Sequence, residues 1–316
     1  MTSGNLPNEI YITRHYDSSI EKVWNAWIIN DQVSQWWGPR GFTTTTIRKD
    51  VKSGGDWLFT MQGPDGKDYP NYIKYLEVVP FKSLVYDHGG TEEQPPMFRV
   101  SVFFSEIKGQ TQMKMTMALP TAEAAENTKK HIKQMGGGTT WDRLAEFLEK
   151  TKSGKDIFVI NRTFDIDLSS MYSAWTDTNE IMTWQAPKGM SGRYLVANVK
   201  PGGESFYELT GNDITMYGKA KYIELVKQTL IIYTQNFTDS TGKVSRHPFA
   251  PTFPETLKTT INFYEEAPKQ TRISIQWEVV GHATKEEHET FLSAKAGMTQ
   301  GWTGSLDKLE DFFINR

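Results

Sequence analysis

The sequence repeats itself once, and this repeat sets what the chain can fold into. Ile12-Thr13-Arg14-His15-Tyr16-Asp17 matches Ile160-Asn161-Arg162-Thr163-Phe164-Asp165, an offset of 160 − 12 = 148. The same offset pairs Trp27 with Trp175, Trp36 with Trp184, Pro39 with Pro187, and Val51-Lys52-Ser53-Gly54-Gly55 with Val199-Lys200-Pro201-Gly202-Gly203. One residue is then lost, so Lys74-Tyr75-Leu76-Glu77 aligns with Lys221-Tyr222-Ile223-Glu224. Near the end, Leu144-Ala145-Glu146-Phe147 falls against Leu309-Glu310-Asp311-Phe312. A period this long marks a duplicated domain, not a solenoid of short units. A length of 316 residues suits two cores. The expected domains are 1–151 and 152–316, joined at the small polar stretch Thr151-Lys152-Ser153-Gly154-Lys155.

Within the first copy, residues 9–16 alternate as a strand does, and Ser18 with Glu21 reads as a capping box that starts a short helix. Asn30 or Asp31 can cap a second brief helix, which Gly38 and Pro39 stop. Strand character follows over 42–51, 54–62, 68–79, 82–88, 97–106 and 110–119, broken by turns such as Gly63-Pro64-Asp65-Gly66. Residues 121–150 read as one closing helix, with Met135-Gly136-Gly137-Gly138 as either a bend or a break in it. The second copy repeats the order: a strand at 156–165, two short helices to Trp184, strands between 192 and 280, and a helix over 284–315. The predicted fold class is α+β: two tandem domains, each a curved antiparallel sheet wrapped around a long C-terminal helix.

One helix cannot fill a large concave sheet, so each domain is expected to enclose an apolar pocket of roughly 300 to 1,000 Å³. Aromatic residues make up 13% of the chain, with 10 Trp and 12 Met, more than a plain core requires. The expected lining of the first pocket is Trp37, Trp57, Phe59, Met61, Tyr72, Tyr86, Met113, Met115, His131 and Met135. For the second it is Tyr207, Met216, Tyr222, Tyr233, Trp277, Met298 and Trp302.

A formal net charge of −3 gives no bulk attraction to nucleic acid or anionic membrane. The absence of cysteine removes disulfides, thiolate nucleophiles and Cys-based zinc sites. No apolar run is long enough for a membrane span, and the start MTSGNLPNEI does not read as a signal peptide, so a cytoplasmic location is expected. None of the six histidines, His15, His88, His131, His247, His282 and His288, sits in a metal-binding spacing, and no phosphate loop or nucleotide fingerprint is present. No metal, cofactor or catalytic residue is therefore assigned. Arg14, Arg162, Asp17 and Asp165 read as caps and surface charges.

Gln35-Trp36-Trp37-Gly38-Pro39, Lys52-Ser53-Gly54-Gly55-Asp56-Trp57, Gly63-Pro64-Asp65-Gly66, and Gly301-Trp302 with Leu306-Asp307-Lys308-Leu309 carry a resemblance. Together they resemble the Aha-type family, named for activators of a heat-shock-protein ATPase, within the START-like (SRPBCC) helix-grip superfamily. The resemblance spans nearly the full chain, once per half, and implies the helix-grip fold with an apolar cavity. The halves depart from each other: Gln185 and Ala186 replace Trp37 and Gly38, and Gly137 stands where the second half has Trp302. Binding of a small hydrophobic or aromatic molecule is the first functional expectation. A cyclase or dehydratase using His88, His131 and Tyr86 is the second. A co-chaperone acting on a heat-shock-protein ATPase, carried by the family name, is the third.

Overall fold

The computed structural model describes residues 6–134, 138–211 and 213–316. Two compact units divide at Gly154 and Lys155. The first runs β1 (Glu9–Tyr16), α1 (Ile20–Ile28), α2 (Asn30–Val33), β2 (Thr43–Lys49), β3 (Asp56–Gln62), β4 (Asp68–Val79), β5 (Ser83–Gly89), β6 (Phe98–Ile107), β7 (Gln110–Ala118), α3 (Ala122–Gln134) and α4 (Thr139–Ser153). The second repeats it as β8 (Ile157–Phe164), α5 (Leu168–Thr176), α6 (Thr178–Trp184), β9 (Ser191–Val196), β10 (Glu204–Gly211), β11 (Ile214–Val226), β12 (Leu230–Thr238), β13 (Thr256–Ala267), β14 (Gln270–Val279), α7 (Lys285–Ser293) and α8 (Lys295–Ile314).

Each unit holds a seven-stranded antiparallel sheet in the order β1-β7-β6-β5-β4-β3-β2, or β8-β14-β13-β12-β11-β10-β9. The first two strands of each unit therefore lie at opposite edges, and the short helix pair between them carries the chain from one edge to the other. Those helices lay Val23, Trp24, Ala26 and Trp27, or Met171, Ala174 and Trp175, on the inner face of the sheet. One hydrogen bond is repeated in both units. The Trp36 indole donates to the Ala26 carbonyl at 3.0 Å and the Trp184 indole to the Ala174 carbonyl at 2.9 Å, which ties the end of the helix pair to its middle.

The turn before β3 shows why glycine recurs in pairs there. Gly54 and Gly202 hold positive φ, while a Cβ on Gly55 or Gly203 would strike the carbonyl of Asp50 or Asn198. Several sequence expectations shift by small amounts. The N-cap of α1 is Ser19, which accepts from the Lys22 amide, so the Ser18–Glu21 box does not form; Asp167, 148 residues on, caps α5 in the same way. Helix α2 starts without a side-chain cap. Asp17 instead pairs with Lys152 at 2.5 Å, and Asp165 accepts from Gln270.

The arginines are not plain surface charges. Arg14 is buried beside Gly138, and Arg162 bridges Asp307 and Glu310 of α8 at 2.6 and 2.8 Å. The closing segment is two helices in each unit, not one continuous helix. In the second unit Ala294 separates α7 from α8; in the first, Met135, Gly136 and Gly137 between α3 and α4 lie outside the described residues.

Candidate functional site

The interior of the first unit is built of rings in contact. Trp57 stacks on Phe59 with centroids 4.0 Å apart, Trp37 meets Trp57 edge-on at 5.0 Å, and Phe59 approaches His88 at 6.2 Å. Trp27 joins Trp36 and Trp37 on one side and stacks on Trp141 of α4 on the other, at 5.4 Å. Tyr86, Met113 and Met115 complete this core, with Met61 partly buried against it. These expected lining residues do come together, but by packing on one another.

Two members of the set fall elsewhere, and one falls outside the described residues. Tyr72 sits on the outer face of β4, where its hydroxyl donates to Asp56; Tyr75, three residues on, faces inward. His131 is exposed on α3. Met135 lies outside the described residues, as does Gly137. The ring that covers Trp27 comes from Trp141, four residues beyond the position aligned with Trp302 in sequence. Trp302 in turn stacks on Trp175 at 6.1 Å, so both units have the contact and neither lacks a ring there.

Arg143 of α4 fixes the loop that delivers Trp37. Its Nη1 donates to the carbonyls of Gly38 at 2.8 Å and of Pro39 and Phe42 at 3.0 Å, and Nη2 donates to Gln35 at 3.2 Å. Burial lowers its pKa to about 10. At the matching place in the second unit, Lys308 donates once, to Ala186 at 2.8 Å.

His88 faces inward between Phe59 and Phe98, and its Nε2–H donates to the Asn71 side-chain oxygen at 2.9 Å. Burial lowers its pKa to about 4. Its unfolded value is near 6.5, so the unfolded chain binds the extra proton first as the pH falls. Stability tied to neutral His88 is complete above about pH 6.5 and is lost between there and pH 4, on the order of 2–3 kcal/mol. His88→Gln, the residue that the second unit has here as Gln235, is expected to flatten that part of a denaturant-stability profile. An unchanged slope between pH 6.5 and 4 would refute the assignment.

The second unit differs at the positions that matter most. The sequence repeat places Gln185 where the first unit has Trp37, and strand register places Ser205 for Trp57, Tyr207 for Phe59, Gly218 for Asn71, Ala220 for Ile73 and Gln235 for His88. A cavity of about 20 Å³ results, lined by Trp175, Ile181, Gln185, Tyr194, Tyr207, Ala220, Tyr222, Ile231, Tyr233, Gln235 and Ile261. That is room for about one water, far below the expected pocket. Its walls are the sheet and the α5–α6 segment; no residue of α8 lines it. Of the expected second set, Tyr207, Tyr222 and Tyr233 are in the wall. Met216 lies further out on the inner face, and Trp277, Met298 and Trp302 belong to the neighbouring core.

The wall is donor-rich. The Tyr222 hydroxyl accepts from Tyr194 and Ser205. Burial raises the pKa of all four phenols, that of Tyr207 to about 12, so each stays a neutral donor at physiological pH. The buried indole N–H of Trp175 has no hydrogen-bond partner among the described residues. Gly218 makes the arrangement possible, since a Cβ there would overlap the Tyr207 hydroxyl and ring carbons. Tyr194, Gln185 and Gln235 are not among the residues expected from the sequence; the signal for the two glutamines is the loss of a ring from the aligned Trp37 and His88, whereas Tyr194 replaces Thr46.

Two such units in tandem define a protein of the START-like, helix-grip class. The chain matches the family of activator of Hsp90 ATPase homolog 1-like proteins over residues 17–149 and again over 165–313, and it belongs to that family. Similar solved structures include a Staphylococcus epidermidis protein, 23% identical over 48% of this chain and 95% of that one, with a TM-score of 0.43. The di-domain ARO/CYC BexL from the BE-7585A biosynthetic pathway covers 96% of this chain and 98% of its own, at 11% identity and a TM-score of 0.39. An AHSA1 protein from Silicibacter pomeroyi is 12% identical over 50% of this chain and 97% of that one, with a TM-score of 0.39. Among curated proteins, nothing matches the chain in sequence. No helix among the described residues is long and apolar enough to cross a membrane.

Proposed function

We propose that this protein binds a small aromatic or hydrophobic molecule in the second unit, and that the first unit is a ring-filled scaffold. The observation that carries this reading is the replacement of Trp37, Trp57 and Phe59 by Gln185, Ser205 and Tyr207 at aligned inward positions. Three rings in mutual contact occupy the first interior, while smaller or polar side chains leave space and unspent donors in the second. The ring face of Trp175 and the aliphatic side chains of Ile181 and Ile261 suit an apolar ring, and the phenols and the Trp175 indole N–H suit acceptor oxygens on its rim. Tyr207 keeps its place in the wall because Gly218 has no Cβ, so a methyl at position 218 would displace the ring and rearrange the cavity. A cytoplasmic protein that holds a metabolite fits this reading; neither histidine of the catalytic alternative lines the second cavity.

The test is native mass spectrometry of the purified chain, followed by denaturing extraction and identification of any small molecule that travelled with it. A co-purified aromatic metabolite, lost in Gly218→Ala and kept in Asn71→Ala, supports the reading. Retention of the molecule by Gly218→Ala, or its loss only in first-unit variants, sinks it. Stimulation of a heat-shock ATPase by a ligand-free chain would favour the chaperone reading instead.

A further inference from the structure

We propose that Lys49, at the end of β2, is an amine nucleophile of the first unit, placed to condense with small aldehydes. The placement depends on a β-bulge. Along β2, Thr44 and Thr46 face inward, and strict alternation would next turn Arg48 inward and leave Lys49 in solvent. The register with β3 shifts between Thr46 and Arg48, so Arg48 pairs with Leu58 on the outer face and Lys49 pairs with Trp57 on the inner. The Lys49 amine therefore lies 4.1 Å from the centre of the Trp57 ring and donates to the Trp27 carbonyl at 2.8 Å. The fold does not demand a lysine there. The second unit makes the same bulge, between Tyr194 and Val196, and has exposed Ala197 at the aligned position.

Nothing described around the amine compensates its charge. On its own strand Arg48 is engaged outward with Asp56 of β3 and with Glu92; in the following turn Asp50 pairs with Lys52; on α1, Glu21 and Lys22 are exposed. The contacts left to Lys49 are one neutral carbonyl, which an uncharged amine can still donate to, and one ring face, whose attraction for the ammonium is small beside the cost of burying an uncompensated charge. Burial alone lowers its pKa to about 7. The side chain remains partly exposed, so a small electrophile can reach it.

The chemistry balances without a redox partner. The lone pair of the neutral amine forms a C–N bond to the aldehyde carbon, the carbonyl oxygen takes up the two protons that the nitrogen gives up and leaves as water, and a C=N double bond with no proton on nitrogen remains. The adjacent Trp57 ring, held by its indole donation to Thr46 at 3.0 Å, offers a face against which the aldehyde substituent can lie.

Reductive trapping of the full chain with propanal and cyanoborohydride, read by peptide mass mapping, tests this. A lysine with a pKa of about 7 is half neutral at about pH 7, against about one part in 2,500 for an ordinary lysine near 10.4. Lower basicity and partial burial offset some of that, so labelling at Lys49 is expected to exceed that at Lys52 and Lys74 by at least roughly tenfold at neutral pH. The ratio should shrink as the pH rises to about 10. Equal or slower labelling of Lys49 at neutral pH, or a ratio that ignores pH, overturns the proposal.

Discussion

Trp57→Ala is expected to cost the first unit about 3–5 kcal/mol, the range for deleting a fully buried large aromatic side chain. The residue is 1% exposed, stacks on Phe59 at 4.0 Å, meets Trp37 at 5.0 Å, and underlies the Lys49 amine. Its removal opens a hole that Trp37 and Phe59 cannot both close, because the former is fixed by its loop and the latter by β3. The measurement is hydrogen exchange on the intact chain, read peptide by peptide, which reports each unit separately. Ser205→Ala, at the aligned position, removes a hydroxyl that accepts from the Asn198 amide at 3.2 Å and is expected to cost only about 1 kcal/mol. Comparable losses for the two substitutions would contradict the division into a filled interior and a hollow one.

That division was half legible in the sequence. The repeat exposed the paired tryptophans, and alternation in β3 and β7 put Trp57, Phe59, Met113 and Met115 on one face, where the structure has them. Alternation alone could not choose between Tyr72 and Tyr75, since β4 has aromatic residues on both faces and only the pairing with β3 decides. It failed at Lys49 for a definite reason: a bulge resets the phase of a strand, and nothing in Thr46-Ile47-Arg48-Lys49 announces one. Aromatic stripes in the first unit pack on one another in the structure, and the cavity described in the second unit lies where three of the aligned rings are replaced by Gln185, Ser205 and Gln235. The closing segment of the second copy reads as one helix over 284–315 because its composition favours helix throughout, while the break at Ala294 divides it into α7 and α8.

Arg143→Met should destabilise the first unit by about 3–5 kcal/mol, although it removes a charge that burial disfavours. The cost arises from what the guanidinium leaves behind. The carbonyls of Gly38, Pro39, Phe42 and Gln35 converge on one side chain, and the first three lose their donor while buried or half-buried. No rearrangement of the loop can satisfy all of them, since Trp36 and Trp37 anchor it inside the core. The salt bridge of Arg40 with Glu146, at 2.8 Å, would hold the loop end but supplies no donor to those carbonyls. Arg143→Lys should recover about a third of the loss, because an ammonium in this place makes a single good bond, as Lys308 does to Ala186 in the second unit. The same hydrogen-exchange measurement decides: amides of 35–44 should lose protection first in Arg143→Met, ahead of the β5–β7 strands. Uniform loss across the unit, or full recovery with lysine, would mean that the residue serves as bulk and charge and does not organise the loop that places Trp37.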